Sequence, residues 1–214
     1  MSIVLAPLVS TASLSTYSLL QAAIANWSHR TDLTSVIPDF VTMAESRISR
    51  DLRLRKQIVS TTLTTVANQQ SLSIPTDWLE FENLSVATSP SSQLTYVPVE
   101  HIDAAFSSTY TDVPSHFTIE GDNILFAPTP DAAYSINCIY YSRFPSLITA
   151  GTNWLLTNHP NIYLFACLIE VCFYTRDVQA GQVYMQRYES ELTQLQNVDD
   201  RSTHSGSALR VKVV

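Results

Sequence analysis

The chain has 214 residues, of which 45% are hydrophobic and 14% charged, and its formal net charge is −7. This length predicts a single domain, or a domain with an appendage, and the hydrophobic content is ample for a core. The acidic balance argues against a protein that holds nucleic acid mainly through its phosphates. The scarcity of charge is typical of a subunit that buries its exterior in neighbours, and also of a secreted or β-rich monomer.

The first predicted helix covers residues 15–29. Its apolar residues recur at helical spacing and predict one buried stripe, formed by Leu19, Leu20, Ala23, Ile24 and Trp27. The polar pair Thr31-Asp32 then interrupts the helical pattern.

The second predicted helix covers residues 34–56, with Thr34 or Ser35 as its N-cap and Pro38 in its first turn. Its predicted buried face consists of Ile37, Phe40, Ala44, Ile48 and Leu52. Its end is basic, with Arg47, Arg50, Arg53, Arg55 and Lys56. At about 100° per residue these arginines spread around a helix and form no single basic stripe. We therefore expect Arg47, Arg53 and Arg55 to contact a neighbouring protein rather than DNA. Asp51 is spaced four residues from both Arg47 and Arg55, and we expect both pairs to support the helix.

Residues 57–145 form the predicted β region. The β-branched run at 58–66 and the run at 71–75, with a polar turn at 68–70 between them, predict a hairpin. A short helix is predicted from Val99. A second hairpin is predicted to turn at Gly121, where a positive φ is easily met.

Two further helices are predicted over residues 160–198. Pro160 opens an apolar helix that ends near Arg176, and an amphipathic helix follows with a stripe of Tyr184, Tyr188, Leu192, Leu195 and Val198. The polar run 199–207 is predicted to be a linker. The four helices are expected to pack as a bundle beside a small antiparallel sheet or sandwich, which makes an α+β domain over residues 13–200.

Two arms are predicted outside this domain, at residues 1–12 and 201–214. The N-terminal arm is apolar. In the C-terminal arm Leu209, Val211 and Val213 alternate with Arg210 and Lys212. This pattern is typical of a strand that adds to the sheet edge of another protein or lies in a groove, so these five residues are candidates for an interface.

Few residues of the sequence are candidates for catalysis or for binding a metal or cofactor. Cys138, Cys167 and Cys172 lie in apolar runs and are predicted to be reduced core thiols. The five histidines form no pair at metal-ligand spacing, and the four glycines form no phosphate-binding loop, so we predict no metal and no cofactor. No apolar stretch approaches the roughly 20 residues that span a bilayer, and we predict neither a signal peptide nor a membrane span.

Several segments, in this order, resemble one protein family. They are "IPDF" at 37–40, "AESRISRDLRLR" at 44–55, "SIPTDWLE" at 73–80, "FTIEGDNILFAPTP" at 117–130, "YYSRFPSL" at 140–147 and "NWLLTNHPNIYLFACLIE" at 153–170. Their order is similar to that of the head-to-tail adaptor, or connector, proteins of short-tailed and related tailed bacteriophages. The resemblance covers residues 17–208 and leaves out the ends of the chain.

The resemblance implies a structural virion protein at the head-to-tail interface, made in the host cytoplasm. It implies a homo-oligomeric ring of twelve copies that binds the portal protein on one side and the downstream tail (nozzle) protein on the other. Such a ring would line part of the channel through which DNA passes during ejection, without sequence-specific binding. It would have no catalytic residues.

The alternative from another class is a small tail-associated hydrolase with a carboxylate site at Glu170 or at Glu80 and Glu82. A working pair needs two carboxyl groups about 5–10 Å apart across a cleft. Glu170 is the one acid in an apolar run, and we expect a partner for it, such as an arginine across the bundle or at an interface. We expect Glu80 and Glu82 to be ordinary charged residues of the protein surface.

Overall fold

The computed structural model describes residues 14–30, 32–88, 90–105 and 110–204. The predicted arm at 1–12 lies outside these residues, as do Leu209, Arg210, Val211, Lys212 and Val213. The chain divides into two compact units, a helical unit that runs up to Arg53 and resumes at Phe144, and a β unit at Leu54–Arg143. That the two form one domain over residues 13–200 stays a prediction.

The described helices and strands follow one another as helical ends around a β middle, as predicted. In chain order they are α1 (Tyr17–Ser28), α2 (Ile37–Asp51), a 3-10 turn (Arg55–Gln57), β1 (Ile58–Thr64), β2 (Ser71–Ser73), β3 (Trp78–Val86), β4 (Ser92–Gln93), β5 (Thr95–Tyr96), α3 (Val99–Ala105), β6 (Thr111–Asp112), β7 (His116–Glu120), β8 (Asn123–Ala127), β9 (Thr129–Pro130), β10 (Ser135–Ser142), α4 (Leu147–Ala150), α5 (Trp154–Asn158), α6 (Pro160–Thr175) and α7 (Val178–His204).

Helix α1 begins at the N-cap Thr16, whose hydroxyl accepts a hydrogen bond from the Leu19 amide, and it ends at His29 in the left-handed conformation. Leu20, Ala23 and Ile24 are buried as predicted. The prediction for Trp27 is wrong, because 48% of this side chain is exposed. It lies edge-on to Phe165 with ring centroids 6.2 Å apart.

The N-cap residue of helix α2 is Val36, so neither Thr34 nor Ser35 holds that position. Pro38 lies in its first turn as predicted, where the missing amide hydrogen costs nothing. The whole predicted face, Ile37, Phe40, Ala44, Ile48 and Leu52, is buried.

The predicted end of α2 at residue 56 is wrong, because the helix ends at Asp51 and Leu52 is already extended. The Arg53 guanidinium donates hydrogen bonds from Nη1 to the carbonyls of Ser49 (2.7 Å) and Leu52 (2.8 Å). These bonds satisfy carbonyl groups that a helix end leaves without partners. Arg55 lies beyond the helix, so the predicted helical pair of Asp51 with Arg55 does not form as an i,i+4 pair.

Helix α6 is the centre of the helical unit. It contacts α1, α2, α5 and α7. Its side chains are buried on all sides over a continuous run, residues 162–169 together with Val171 and Cys172. A helix that is apolar all round must be enclosed by neighbours, and the predicted packing of the four long helices is confirmed.

Helix α7 continues to His204, six residues past the predicted end, so the predicted linker at 199–207 is wrong over its helical part. Tyr188, Leu192 and Leu195 are buried as predicted, whereas Val198 is exposed. No glycine or proline stands between Gly181 and Gly206. The loss of apolar periodicity therefore marks the end of the packed face and not the end of the helix.

The β unit contains two four-stranded sheets in the orders β1-β10-β3-β4 and β2-β8-β7-β5, and a two-stranded pair of β6 with β9. The pairs are antiparallel except β5 with β7 and β6 with β9, which are parallel and were not predicted. One apolar cluster joins the facing sides of the two four-stranded sheets, with Leu84, Val86, Phe117, Ile124, Phe126, Ile136, Cys138 and Tyr140 among its members. This is a small sandwich, and the predicted α+β class is confirmed.

The second predicted hairpin is confirmed and the first is wrong. β7 and β8 pair around Gly121, whose φ is +57°. β1 instead pairs with β10, and β2 pairs with β8. The turn after β1 therefore moves the chain from one sheet to the other, since period-two alternation identifies a strand but not its partner.

Candidate interaction surfaces

The acid that the sequence singles out, Glu170, lies inside the helical unit and is paired. Arg47 of α2 donates to Glu170 Oε1 from Nη2 at 2.5 Å and from Nε at 3.2 Å. The two side chains are 20% and 11% exposed, respectively. The predicted arginine partner is therefore confirmed. A carboxylate engaged in this way balances a charge between two helices and is not poised to act on a substrate.

A second polar contact joins α7 to the end of α2. Tyr188 is buried, and its hydroxyl donates a 3.0 Å hydrogen bond to Asp51 Oδ2. Burial, and after it the Asp51 charge, raise the pKa of Tyr188 well above its ordinary value. Gln196 Nε2 also donates to the Asp51 carbonyl at 3.2 Å. The end of α2 is thus fixed by polar side chains from the same unit.

The predicted interface arginines have different roles in the described structure. Arg47 is taken up by the ion pair in the helical unit, and Arg53 caps the end of α2. Arg55 begins the 3-10 turn of the β unit. Whether any of them also contacts a neighbouring subunit stays a prediction.

The other carboxylate site of the hydrolase alternative lies on strand β3 of the β unit. Glu80 and Glu82 are exposed residues of β3, at the place where the pairing with β10 becomes irregular. A glycosidase pair flanks its substrate across a cleft. Two exposed carboxylates on one strand do not provide that arrangement.

The three cysteines are buried and free, which confirms them as core thiols. Burial raises the pKa of Cys138 to about 11 and also raises the pKa of Cys167, so both thiols stay protonated at neutral pH. Within the described part of the chain, no group of three or more His, Cys, Asp or Glu side chains is arranged to hold a metal ion. No helix of that part is long and apolar enough to cross a membrane.

The most distinctive surface is one that sequence reasoning missed, at the turn between α6 and α7. Phe173 and Val178 are 64% and 69% exposed, and Tyr174 and Val183 are more than half exposed. We call these four residues the hairpin-tip surface. Phe173 and Tyr174 continue the apolar run of α6, and the sequence does not record where the neighbours that enclose residues 162–169 end.

A cavity of about 450 Å³ opens at this tip, lined by Phe173, Val178, Gly181 and Met185 among others. Gly181 explains how the helices come so close, since a Cβ atom there would lie 3.3 Å from the Cβ of Cys172. A second cavity, of about 380 Å³, is lined by Trp27 and other residues of α1, α6 and α7. Exposed apolar side chains beside an apolar cavity make the hairpin-tip surface a candidate site of contact with another protein.

The model of a family described as SU10 adaptor protein matches residues 15–212, which include both units. No curated protein matches the chain.

Proposed function

Since the chain belongs to the SU10 adaptor protein family, a family of head-to-tail adaptors of short-tailed phages, we propose that its copies form a ring between the portal and the tail. In this proposal the ring binds the portal protein on one side and the nozzle protein on the other. The number of copies is twelve, as the resemblance implies. The family match carries the proposal.

The hairpin-tip surface supports assembly. Phe173 and Val178 expose large apolar side chains to water beside an open apolar cavity. Covering that surface with another protein removes apolar area from water, at about 25 cal/mol for each Å². We propose that the hairpin-tip surface is covered in the assembled ring.

The charge of the chain supports passage of DNA without tight binding. The net charge is −7, and lysine occurs only as Lys56 and Lys212. A channel wall built from subunits with a net negative charge repels phosphates on balance, which favours sliding of a duplex. Our proposal is that the ring lines part of the DNA channel and makes no sequence-specific contact.

The terminal arms are the proposed connectors. The segment with Leu209, Arg210, Val211, Lys212 and Val213 alternates apolar and basic residues. An extended segment of this pattern can bind by adding a strand to a sheet edge of a neighbour or of the portal. The protein alone is then expected to be a monomer or a weak oligomer that assembles on its portal.

Light scattering after chromatography, on the protein alone and mixed with purified portal, tests this proposal. We expect a small species alone and a complex with many copies after mixing. The double variant Phe173→Ser, Val178→Ser should assemble less well, whereas Val66→Ser, at another exposed apolar residue, should assemble normally. A mixture that yields no complex in any proportion would argue against the adaptor ring. Equal assembly of the three proteins would remove the hairpin-tip surface from the proposal.

A further inference from the structure

Strand β1 leaves one long edge of the sandwich open. It is the outermost strand of the sheet β1-β10-β3-β4, and no other described strand pairs with it on the side away from β10. It has seven residues, whereas the outermost strands β4, β2 and β5 have two or three. An edge of this length presents a row of unpaired backbone donors and acceptors.

The geometry shows which backbone groups point outward. The Thr65 amide donates to the Tyr134 carbonyl at 2.9 Å, in register with the end of the β1–β10 pairing. In an antiparallel pair the residues that exchange hydrogen bonds alternate along the strand. The amides and carbonyls of Ser60, Thr62 and Thr64 therefore face away from β10.

Within β1, all of whose residues are described, the charges, prolines and bulges that protect many strand edges are absent. Residues 58–64, "IVSTTLT", include no charge and no proline. The register with β10 runs without a shift from Ile58 to Thr64, so no bulge twists the edge away. Natural proteins use charges, prolines and bulges to prevent pairing at such edges. An unprotected edge of seven residues is instead suited to accept a strand.

The side chains of β1 define what that strand should look like. Val59, Thr61 and Leu63 lie opposite Tyr140, Cys138 and Ile136 of the core face, respectively. Leu63 packs against the core cluster only in part, and Val59 is 37% exposed. A further strand with apolar residues on this face would extend the core over them. Its other face would lie beside Ser60, Thr62 and Thr64, which are exposed.

The segment at residues 208–214, "ALRVKVV", has this pattern. Its seven residues match the seven of β1, and its apolar residues Leu209, Val211 and Val213 alternate with the basic Arg210 and Lys212. Placed beside β1, the three apolar side chains would join the face of Val59 and Leu63. The two basic side chains would then lie on the wet face with the hydroxyl groups.

We propose that residues 208–214 of a second copy of this chain pair with the open edge of β1. The inference rests on the proposed ring and names the surface that receives the arm. Each copy then offers one arm and accepts one, which is the head-to-tail type of contact that closes into a ring. One added strand binds weakly between two free copies, and closure of the ring multiplies its effect.

Disulfide trapping in the full-length protein tests this pairing. Thr61 and Val211 are the central residues of their seven-residue segments, so a Thr61→Cys chain mixed with a Val211→Cys chain should form a cross-linked dimer on the portal. Cys138 lies directly opposite Thr61 on β10, so every chain in this test also carries Cys138→Ala, and the remaining native thiols, Cys167 and Cys172, are buried. The control pairs Val211→Cys with Ser92→Cys on β4, the opposite edge of the same sheet, and should form no cross-link.

A backbone variant provides a second readout. Thr62→Pro removes the backbone amide hydrogen of residue 62, which points away from β10. When added to the Thr61→Cys chain, it should reduce the fraction of cross-linked dimer about tenfold, whereas Thr62→Ala should leave that fraction unchanged. Equal trapping at Ser92, or trapping insensitive to Thr62→Pro, would overturn the inference. The inference would also be overturned if a chain that carries both Thr61→Cys and Val211→Cys forms only an intrachain disulfide. The same holds if the Val211→Cys arm cross-links only to the portal. If light scattering shows the ring while these signals are absent, the inference fails and the proposed function stands.

Discussion

Removal of the Glu170 carboxylate should destabilise the helical unit more than any loss of surface charge. Glu170→Leu leaves the Arg47 guanidinium, which is 20% exposed and has both hydrogen bonds to one oxygen of Glu170, without its acceptor. Breaking a fully buried pair by removing one partner costs about 3–5 kcal/mol. Because both side chains keep some contact with water, we expect about 2–3 kcal/mol here.

A double variant distinguishes the net contribution of the Arg47–Glu170 ion pair from the cost of leaving either charge unpaired. Arg47→Met with Glu170→Leu removes both charges and replaces them with apolar groups, so its free energy of unfolding should lie within about 1 kcal/mol of the original protein. Arg47→Met leaves Glu170 unpaired and should cost about as much as Glu170→Leu, so the double-mutant cycle should give a coupling energy of at least about 3 kcal/mol. Glu170→Gln keeps an acceptor but loses the charge, and should cost about 1–2 kcal/mol.

Urea denaturation followed by far-ultraviolet circular dichroism measures these differences. The matched control is Asp32→Asn, which breaks the ion pair of Asp32 with Arg30, whose side chains are 59% and 47% exposed, respectively. Exposed pairs contribute little, so this variant should unfold as the original protein does. The reasoning is refuted if Glu170→Leu is as stable as Asp32→Asn, or if the double variant loses the sum of the two single losses.

Three further predictions concern single residues. Burial and the Asp51 charge raise the pKa of Tyr188. Its contribution to stability is therefore complete below the ordinary tyrosine pKa of about 10 and is lost as pH rises above that value. The free energy of unfolding, measured from about pH 8 to 11, should fall less in Tyr188→Phe than in the original protein. Gly181→Val should cost about 1–3 kcal/mol in thermal unfolding, because its side chain would crowd Cys172, whereas Gly181→Ala should be near neutral as better helix propensity offsets the closer contact. Gly121→Ala should cost about 1–2 kcal/mol in urea, since the left-handed backbone there disfavours a side chain although the space is open. Unchanged stability of Gly181→Val or Gly121→Ala would contradict these arguments, as would equal loss of stability with pH in Tyr188→Phe and the original protein.

The helical half of the fold was readable from periodicity. The buried face of α2 is correct at all five positions, from Ile37 to Leu52, because one face of a packed helix repeats every 3.6 residues. The sequence also predicted that Glu170 has a partner such as an arginine. An acid in an apolar helix must be balanced by a nearby polar group.

Helix ends were less readable because side-chain contacts decide them. Arg53 ends α2 by binding the carbonyls of Ser49 and Leu52, and this contact appears only when the backbone turns. Helix α7 lacks such a stop and continues through a polar stretch to His204. Polarity alone does not end a helix.

The sequence by itself determined where the four long helices lie, which run is apolar on every side, and that three cysteines lie in the core, since each follows from local pattern and from the cost of exposing apolar groups. Only the tertiary structure decided strand partners, as in the pairing of Ile58 with Tyr141, because that pairing depends on residues far apart in the chain. For the same reason it alone showed the hairpin-tip surface around Phe173 and the open edge of β1. Whether an apolar residue or a strand edge is covered is a property of its neighbours in space, which alternation along the chain does not record.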